Sequence, residues 1–569
     1  MSECLFLQSS CAGRRLRVAV LLDNSSLIGP FAAILRQLQT CNFADPVLVL
    51  ADDQDSGTAE ECGGRNALLG TSPAPRTAAP LLYSRYLAWD KARHASAALS
   101  FVPENYDNLL QDIARVEGRF LDGSDAALDI TIQRRISEAQ LDVILNLSRR
   151  TPRPALAQLA RCGLWSCQFG TPERWGDFAT FWAVSQDEPL SSAFLMAQTG
   201  PAHPNIALAE CRVATQLGTS HVVNLHSICL SIDTLMIWKL RQLYEQGWQV
   251  LRDTPARAAK THAPAVAQAP ENLQMAGFLA RKFTRALRHR LHPDRRVRRW
   301  QIGIRKASTQ APWQGDWDDF RWITPAAGHF YADPHLFEHA GRLWLFMEDY
   351  PYRLGHGIIS CCELREDGTL GPVVPVLHRP YHLSFPYVFK REDEIYLLPE
   401  TARSGRVELY RAVDFPRRWK LHRVLLDIPA HDTVLHVGED GTHYFFTGIR
   451  QSVDSNEHQF LFTASSLQDP LQPHPRSPVS LDARYSRNAG PLLQFDGKLI
   501  RVSQDSTIRY GRQLRFSEVE ALTPDDFRER EVGQRAPAWG PEFIGTHSYC
   551  RLGGWEVMDA LRLALPENP

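Results

Sequence analysis

No apolar run of about 18 residues occurs in the 569-residue chain, so a membrane-crossing helix is not expected. The opening segment, MSECLFLQSSCAGRR, lacks both the charged start and the continuous apolar core of a secretory leader. Neither sign of charge predominates. The 63 Lys and Arg against 64 Asp and Glu leave a net −1, which gives no global attraction for nucleic acid. No histidine–cysteine group has zinc-finger spacing, and neither a Walker loop nor a GxGxxG follows a strand. Metal and dinucleotide therefore find no support in the sequence, and no cofactor is expected. Disulfides fare no better, because the 11 cysteines are odd in number and the eight before residue 230 have no paired spacing. Buried thiols in a reduced, cytoplasmic protein are expected instead. Cys361 and Cys362, adjacent in a predicted strand, should face opposite sides.

What the chain does contain is length enough for two or three domains and two contrasting kinds of patterning. Residues 15–250 carry α/β punctuation. The segments RLRVAVLLD (Arg15–Asp23), PVLVLADD (Pro46–Asp53) and LDVILNLS (Leu141–Ser148) read as strands ending on polar groups, and Leu27–Leu38 has helical spacing. Strand, helix, strand with polar ends predicts a parallel sheet with a cleft at its carboxyl edge. Ser227–Glu245 reads as an amphipathic helix that closes this domain. Residues 251–299 are assigned to a connector. Within it 253–273 is Ala/Pro-rich, and Arg281–Arg299 is a basic helix candidate with nine Lys or Arg against one Asp. Phe283, Leu287 and Leu291 share one face there, which suits either a connecting helix packed on one domain or a peripheral contact with anionic lipid or a phosphorylated substrate.

From residue 300 to 563 one unit recurs five times: an apolar strand opening on polar residues, a short turn, and a second apolar strand ending on an acid or polar group. The openings YADPHLF, HLSFPYVF, HDTVLHV, RNAGPLLQF and PEFIGTH are anchored near Asp333, Ser384, Asp432, Asn488 and Phe543, which lie 51, 48, 56 and 55 residues apart. That period is one four-stranded blade, so a five-bladed all-β propeller is expected. Antiparallel pairing brings the start of each inner strand beside the end of the next. His329, Asp333, His382, Ser384, Asp432, Arg487, Glu542 and His547 should then share a face with the second-strand ends Glu348–Asp349, Glu400, Thr447 and Gln504–Asp505. Carboxylates there can accept from sugar hydroxyls or act as acid and base, and Arg487 can hold a phosphate. Asp333, Glu400 and Asp432 are the catalytic candidates. Glu348, His382, Ser384, Arg487, Gln504, Asp505, Glu542 and His547 are the substrate-binding candidates, whereas His378, His436 and Cys550 read as packing or surface residues. The competing roles are ordinary ones: strand entry at Asp333–Pro334, turn capping by Glu400, an Asx turn at Asp432, and an ion pair for Arg487.

The segments FYADPHLFEHAGRLWLFMED, HLSFPYVFKREDEIYLLPET, RVELYRAVDFPRRW, HDTVLHV and SRNAGPLLQFDGKLIRVSQD, taken in order, resemble the N-terminal domain of plant glucosamine inositolphosphorylceramide transferases over roughly 298–560. That domain is similar in turn to the five-bladed propellers of arabinanase-, xylosidase- and levansucrase-type glycosidases. The resemblance implies a catalytic Asp early in the first blade, matching Asp333, with Glu400 and Asp432 as further acids by blade order. Transferase chemistry in the plant enzymes is attributed to a separate domain that this chain lacks. Residues 15–245 resemble, more distantly, the formyltransferase fold through RLRVAVLLD, LDVILNLS, CGLWSCQFG and FATFWAV. The Asn-x-His of active formyltransferases is replaced by Ser166, Cys167 and Gln168, so formyl transfer is not expected; Cys167, with no partnered histidine, reads as a buried thiol. Together these observations favour a carbohydrate-active transferase, or its sugar-binding component, in glycolipid or surface-polysaccharide biosynthesis. A glycosidase-like hydrolase and a non-catalytic scaffold are the alternatives. The expected partners are a sugar, nucleotide-sugar or lipid-linked sugar, with no nucleic acid. The expected location is cytoplasmic, peripheral to the inner membrane face.

Overall fold

The computed structural model describes residues 7–23, 26–52, 80–102, 104–105, 107–121, 128–148, 150–171, 174–176, 178–200, 204–215, 220–254, 265–293, 296–450 and 458–565. The first six residues of the opening segment, Asp53 of the second predicted strand and 255–264 of the Ala/Pro-rich stretch lie outside them. The chain divides into two compact units, the first reaching His292 and the second starting at Pro293.

In the first unit the three predicted strands appear as β1 (Leu16–Leu22), β2 (Ala44–Asp52) and β4 (Val143–Asn146), joined by four not read from the sequence, β3 (Ala114–Gly118), β5 (Leu164–Thr171), β6 (Leu190–Gln198) and β7 (Ile206–Ala214). Their order in the sheet is β7-β6-β5-β4-β1-β2-β3. The five strands from β3 to β5 are parallel, while β6 and β7 pair antiparallel. β1 reads as a continuous apolar run because both faces of the sheet are covered, and Val18 through Leu22 are fully buried. Helix α1 (Gly29–Thr40) lies between β1 and β2 in sequence, and α2 (Leu81–Arg93) follows β2. The long α3 (His221–Gln246) starts on Ser220, whose side chain accepts from the Val223 amide, and stops at Gly247 with φ 81°.

The basic helix forms with different limits from those expected. Helix α4 spans Asn272–Leu291 and packs on the first unit through Met275 and Phe278, the latter 5.4 Å from Tyr86 and from Phe181. It opens on a capping box between Glu271 and Gln274, and Pro293 prevents its continuation. Residues 297–299, read as helix, instead begin a propeller strand.

The second unit is the expected five-bladed propeller. Blade 1 comprises His329–His339, Arg342–Pro351, Ile358–Leu364 and Val374–Leu377; blade 2 Ser384–Arg391, Glu394–Glu400, Val407–Asp414 and Arg418–Leu426. Blade 3 comprises Ala430–Val437, His443–Ile449, His458–Ala464 and Gln472–Pro473; blade 4 Leu493–Phe495, Lys498–Asp505, Gln513–Leu522 and Phe527–Arg535. Blade 5 draws on both ends of the segment: Val297–Lys306 pairs along its whole length with Trp555–Ala564, with Arg321–Trp322 outside and Phe543–Gly545 and Tyr549–Leu552 inside. Apolar side chains fill the wedges between blades. Cys361 packs between blades 1 and 2 with Phe337, Val388 and Leu397, whereas Cys362 packs between blades 1 and 5 with Ile302, Met347 and Val557. The two neighbours thus face opposite sides, and all nine described cysteines are free.

Candidate functional site

The inner strands of blades 1, 2 and 3 carry a bulge at the same place, at Asp333–Pro334, Phe385–Pro386 and Asp432–Thr433. The first residue of each bulge is left-handed, with φ of 49°, 45° and 50°, a costly backbone state for a side chain as large as Phe385. Blade 4 has Gly490–Pro491 in the corresponding sequence position, with φ 149° at the glycine. The blade 2 equivalent of Asp333 is therefore Phe385 rather than Ser384.

Each bulge frees backbone groups, and neighbouring blades use them. The Phe385 amide donates to Asp333 Oδ2 at 3.1 Å, and the Asp333 amide donates to Asp559 Oδ2 at 3.1 Å. Ser548 Oγ donates to Asp333 Oδ1 at 2.5 Å. His547 stands between the two acids, its Nδ1 2.7 Å from Asp559 and its Nε2 3.4 Å from Asp333. Burial works against a charged ring, but Asp559 and Asp333 outweigh it and His547 is held above its ordinary value. Its ring stacks on Trp300 at 4.0 Å, and Tyr510 meets it edge-on at 5.1 Å. Asp333, His547 and Asp559 offer ligand atoms within 4.8 Å of one another, close enough for a cation, although a charged imidazole would compete with one.

Pairing places Glu348 opposite Ala332 and Glu400 opposite Ser384, so both second-strand ends reach this level. Their environments differ. Glu348 is buried, and His382 Nε2 lies 3.7 Å away on a ring whose own burial disfavours the charged form. Burial first, then the nearby charges of Asp333, Glu400, Asp559 and Asp432, push it well above the ordinary carboxylate range. Glu400 is equally buried, yet a hydrogen bond and charge from His431, Arg487 and the Ala402 amide overcome that burial and hold it below its ordinary value. His431 Nδ1 lies 3.4 Å away, and Ser384 Oγ donates at 3.3 Å.

Asp432 is raised to about 6, by burial and by Asp333 and Glu400, with Arg487 opposing. Arg487 Nε bonds its Oδ2, Gln504 Nε2 donates to the same oxygen at 3.0 Å, and Asn488 Nδ2 donates to its carbonyl at 2.8 Å. The Arg487 guanidinium also lies 5.1 Å from the Tyr510 ring centre.

Of the sequence-predicted residues, Asp333, Glu348, His382, Ser384, Glu400, Asp432, Arg487, Gln504 and His547 are joined in this set. Two stand apart. Asp505 is fully buried inside blade 4, with Thr507, Gln513 and Arg515 occupying its carboxylate, because its side chain points away from the axis on the alternate face of the strand from Gln504. Glu542 is partly exposed, its nearest cation being Arg562 at 3.8 Å. Thr447 bonds Thr433 within blade 3, and Asp349 bonds His329 and Ser360 within blade 1. Asp559, Ser548, Tyr510 and Trp300 were not read from the sequence. Asp559 was within reach: it lies 55 residues after Gln504 at the same place in a second strand, the same interval that separates the last two strand openings.

Below this layer the axis narrows between Pro334, Phe385, Pro386 and Gly490. On the opposite side it widens into a cavity of about 670 Å³ lined by His335, Phe337, Tyr387, Leu493, Phe495 and Leu552.

In the first unit, Cys167 lies on β5, and burial pushes its thiol far above its ordinary value. His221, also buried, falls to about 3 and lies 3.0 Å from Thr180 Oγ1 and 3.3 Å from the Tyr83 hydroxyl. At the sheet's carboxyl edge Asp52 is engaged by Arg150 at 2.7 Å and by the Phe120 and Leu121 amides.

Residues 323–538 match the family described as glucosamine inositolphosphorylceramide transferase 1, N-terminal, in agreement with the resemblance drawn from the propeller motifs. The glucosamine inositolphosphorylceramide transferase 1 of Arabidopsis thaliana is 34% identical over 215 residues, 36% of this chain and 27% of the relative. The match thus spans little more than a quarter of that relative's length. Among solved structures, a family 117 glycoside hydrolase of Zobellia galactanivorans is 10% identical, with a TM-score of 0.31, over 48% of this chain and 93% of its own. A glycinamide ribonucleotide transformylase 1 from Symbiobacterium toebii is 14% identical, with a TM-score of 0.26, over 42% of this chain and 93% of its own.

Proposed function

We propose that this chain is a carbohydrate-active transferase, or the sugar-binding component of one, in glycolipid or surface-polysaccharide biosynthesis, and that the propeller face around Asp333 receives the sugar. The observation that carries this reading is a pair of buried carboxyls, Glu348 and Glu400, driven in opposite directions by their surroundings. A carboxyl kept protonated beside one kept ionised is the arrangement that acid–base chemistry at a glycosidic centre requires. Glu348 would give its proton to a leaving oxygen, and Glu400 would oppose positive charge at the sugar carbon. Asp333 and Asp432 would hold hydroxyls. The partly buried ring of Trp300, stacked on the buried His547, and the exposed ring of Tyr510 offer an apolar platform for a sugar face. Relatives named as transferases of a glycolipid support the substrate class. The donor is a nucleotide-sugar or lipid-linked sugar, and no nucleic acid is involved.

Helix α4 supports a place at the cytoplasmic surface of a membrane. Phe283, Leu287 and Leu291 are 67%, 41% and 64% exposed, on the face opposite Met275 and Phe278, and Arg288 and Arg290 lie beside them. Among the described residues no helix is long and apolar enough to cross a membrane, so this contact would be peripheral.

The deciding experiment compares wild type, Glu348→Gln and Glu400→Gln for sugar binding and for turnover of nucleotide-sugars and lipid-linked sugars. Lost turnover with retained binding supports a transferase. Release of free sugar from an aryl arabinoside or xyloside by wild type would move the assignment to a hydrolase, and binding without turnover on any substrate would leave a scaffold.

A further inference from the structure

The Trp300 ring meets Tyr510 edge-on at 6.3 Å, which brings two separate pieces of chain together at the edge of the carboxyl set. Arg298 lies two residues before Trp300 on the same side of their strand. Arg509 and Arg512 flank the turn formed by Tyr510 and Gly511, where φ at the glycine is 62° and a Cβ would come within 2.8 Å of the Trp300 ring. Strand register and the turn thus place three arginines around the Trp300–Tyr510 contact, Arg298 and Arg509 exposed to solvent and Arg512 partly buried. Among the described residues neither Arg298 nor Arg509 has an ion pair, and Arg512 donates to the Thr507 hydroxyl at 3.2 Å. Partial burial first, then the charges of Arg298 and Arg512, lower Arg509 from its ordinary value, so the other two guanidinium groups lie within electrostatic reach of it. Like charges gathered there attract an anion.

We propose that Arg298, Arg509 and Arg512 form an anion subsite that takes a phosphate group of the substrate while the neighbouring carboxyls take its sugar. The subsite deepens the sugar-binding assignment above and rests on it for the second half of that statement. Guanidinium is suited to the task because its planar fork can give two hydrogen bonds to one phosphate, and three such forks can surround a dianion. The platform of Trp300 and Tyr510 would lie between the two halves, so that one ligand spans arginines and acids. The shared chemistry is a phosphate ester, and it has two sources: a sugar phosphate in solution or a phospholipid headgroup.

The test uses the full chain, with inorganic phosphate as the first probe and Arg298→Gln, Arg509→Gln and the double variant as comparisons. Each single change should weaken phosphate roughly tenfold, as expected for a lost charge-assisted hydrogen bond, with an unchanged melting temperature. Arg509→Lys should recover part of the loss, since charge returns without the fork. Saturable phosphate binding that is indifferent to all these variants, or no binding by wild type, would overturn the subsite. Glucose 1-phosphate and phosphatidylinositol in phosphatidylcholine vesicles then separate the sources: a loss confined to the first assigns a sugar phosphate, and a loss confined to the second assigns a headgroup. Glucose itself distinguishes the two assignments. If phosphate binding depends on the arginines while unphosphorylated sugars never bind, the anion subsite stands and the sugar assignment falls. If the variants weaken glucose as much as its phosphate, the arginines merely shape the site and the subsite falls.

Discussion

Arg305 and Glu556 face each other in the register of the two strands that close the propeller, and their side chains meet at 2.7 Å with both nearly excluded from water. Asp319 holds the outer side of the same guanidinium at 2.7 Å. Removing the arginine leaves the buried Glu556 with only Arg551 and the Ser308 amide, each at 3.3 Å, so Arg305→Met should cost about 3 kcal/mol in denaturant unfolding. The double change Arg305→Met with Glu556→Leu should recover much of that loss.

His547 gives stability a defined pH dependence. Its folded pKa is raised above its ordinary 6.5, so its contribution is complete below that value and declines as pH rises through the folded pKa. The melting temperature of the propeller should fall on that alkaline side. In His547→Gln the same decline should be shallower, which thermal melts across the range will show.

Turnover should follow two carboxyls. Glu348→Gln should lower kcat by roughly 10²–10⁴-fold with sugar binding retained, the range expected for loss of a general acid. Asp432, raised to about 6, should give an inflection near that pH in ligand binding. Asp432→Asn should remove the inflection, as read by calorimetric titration at a series of pH values.

Gly490 has no room for a side chain. A Cβ there would lie 2.0 Å from the Tyr549 carbonyl oxygen, and φ is 149°. Gly490→Ala should therefore destabilise the contact of blades 4 and 5 and lower the melting temperature by more than about 5 °C, on the scale of a few kcal/mol for a strained backbone clash.

Helix α4 predicts vesicle binding. Wild type should sediment with anionic vesicles and not with neutral ones, and Phe283→Asp with Leu287→Asp should abolish the effect without disturbing the fold, because both side chains are exposed. Equal sedimentation of this variant would remove the membrane assignment.

Much of this was legible in the chain because periodicity survives translation into structure. The spacing of strand openings gave five blades, and antiparallel pairing put Glu348 and Glu400 at the level of Asp333. Pattern was silent about bulges, which depend on backbone torsions, so Phe385 was not recognised as the counterpart of Asp333. It also did not distinguish Gln504, which turns to the axis, from Asp505, which is consumed by Arg515. Helix α4 was misplaced because charge density marks a surface, whereas its start depends on the Glu271–Gln274 box. The Arg298–Arg509–Arg512 group escaped notice since its members come from blades 4 and 5, and nothing local connects them.

The shared ownership of blade 5 governs the order in which this half of the protein can be completed. Val297–Lys306 leaves the ribosome before any other propeller strand, yet its partner Trp555–Ala564 is among the last to appear. Through that interval the pairing edge of this strand has no mate, and the ring cannot close until nearly all of it has been synthesised. The first strand made is thus among the last to be secured.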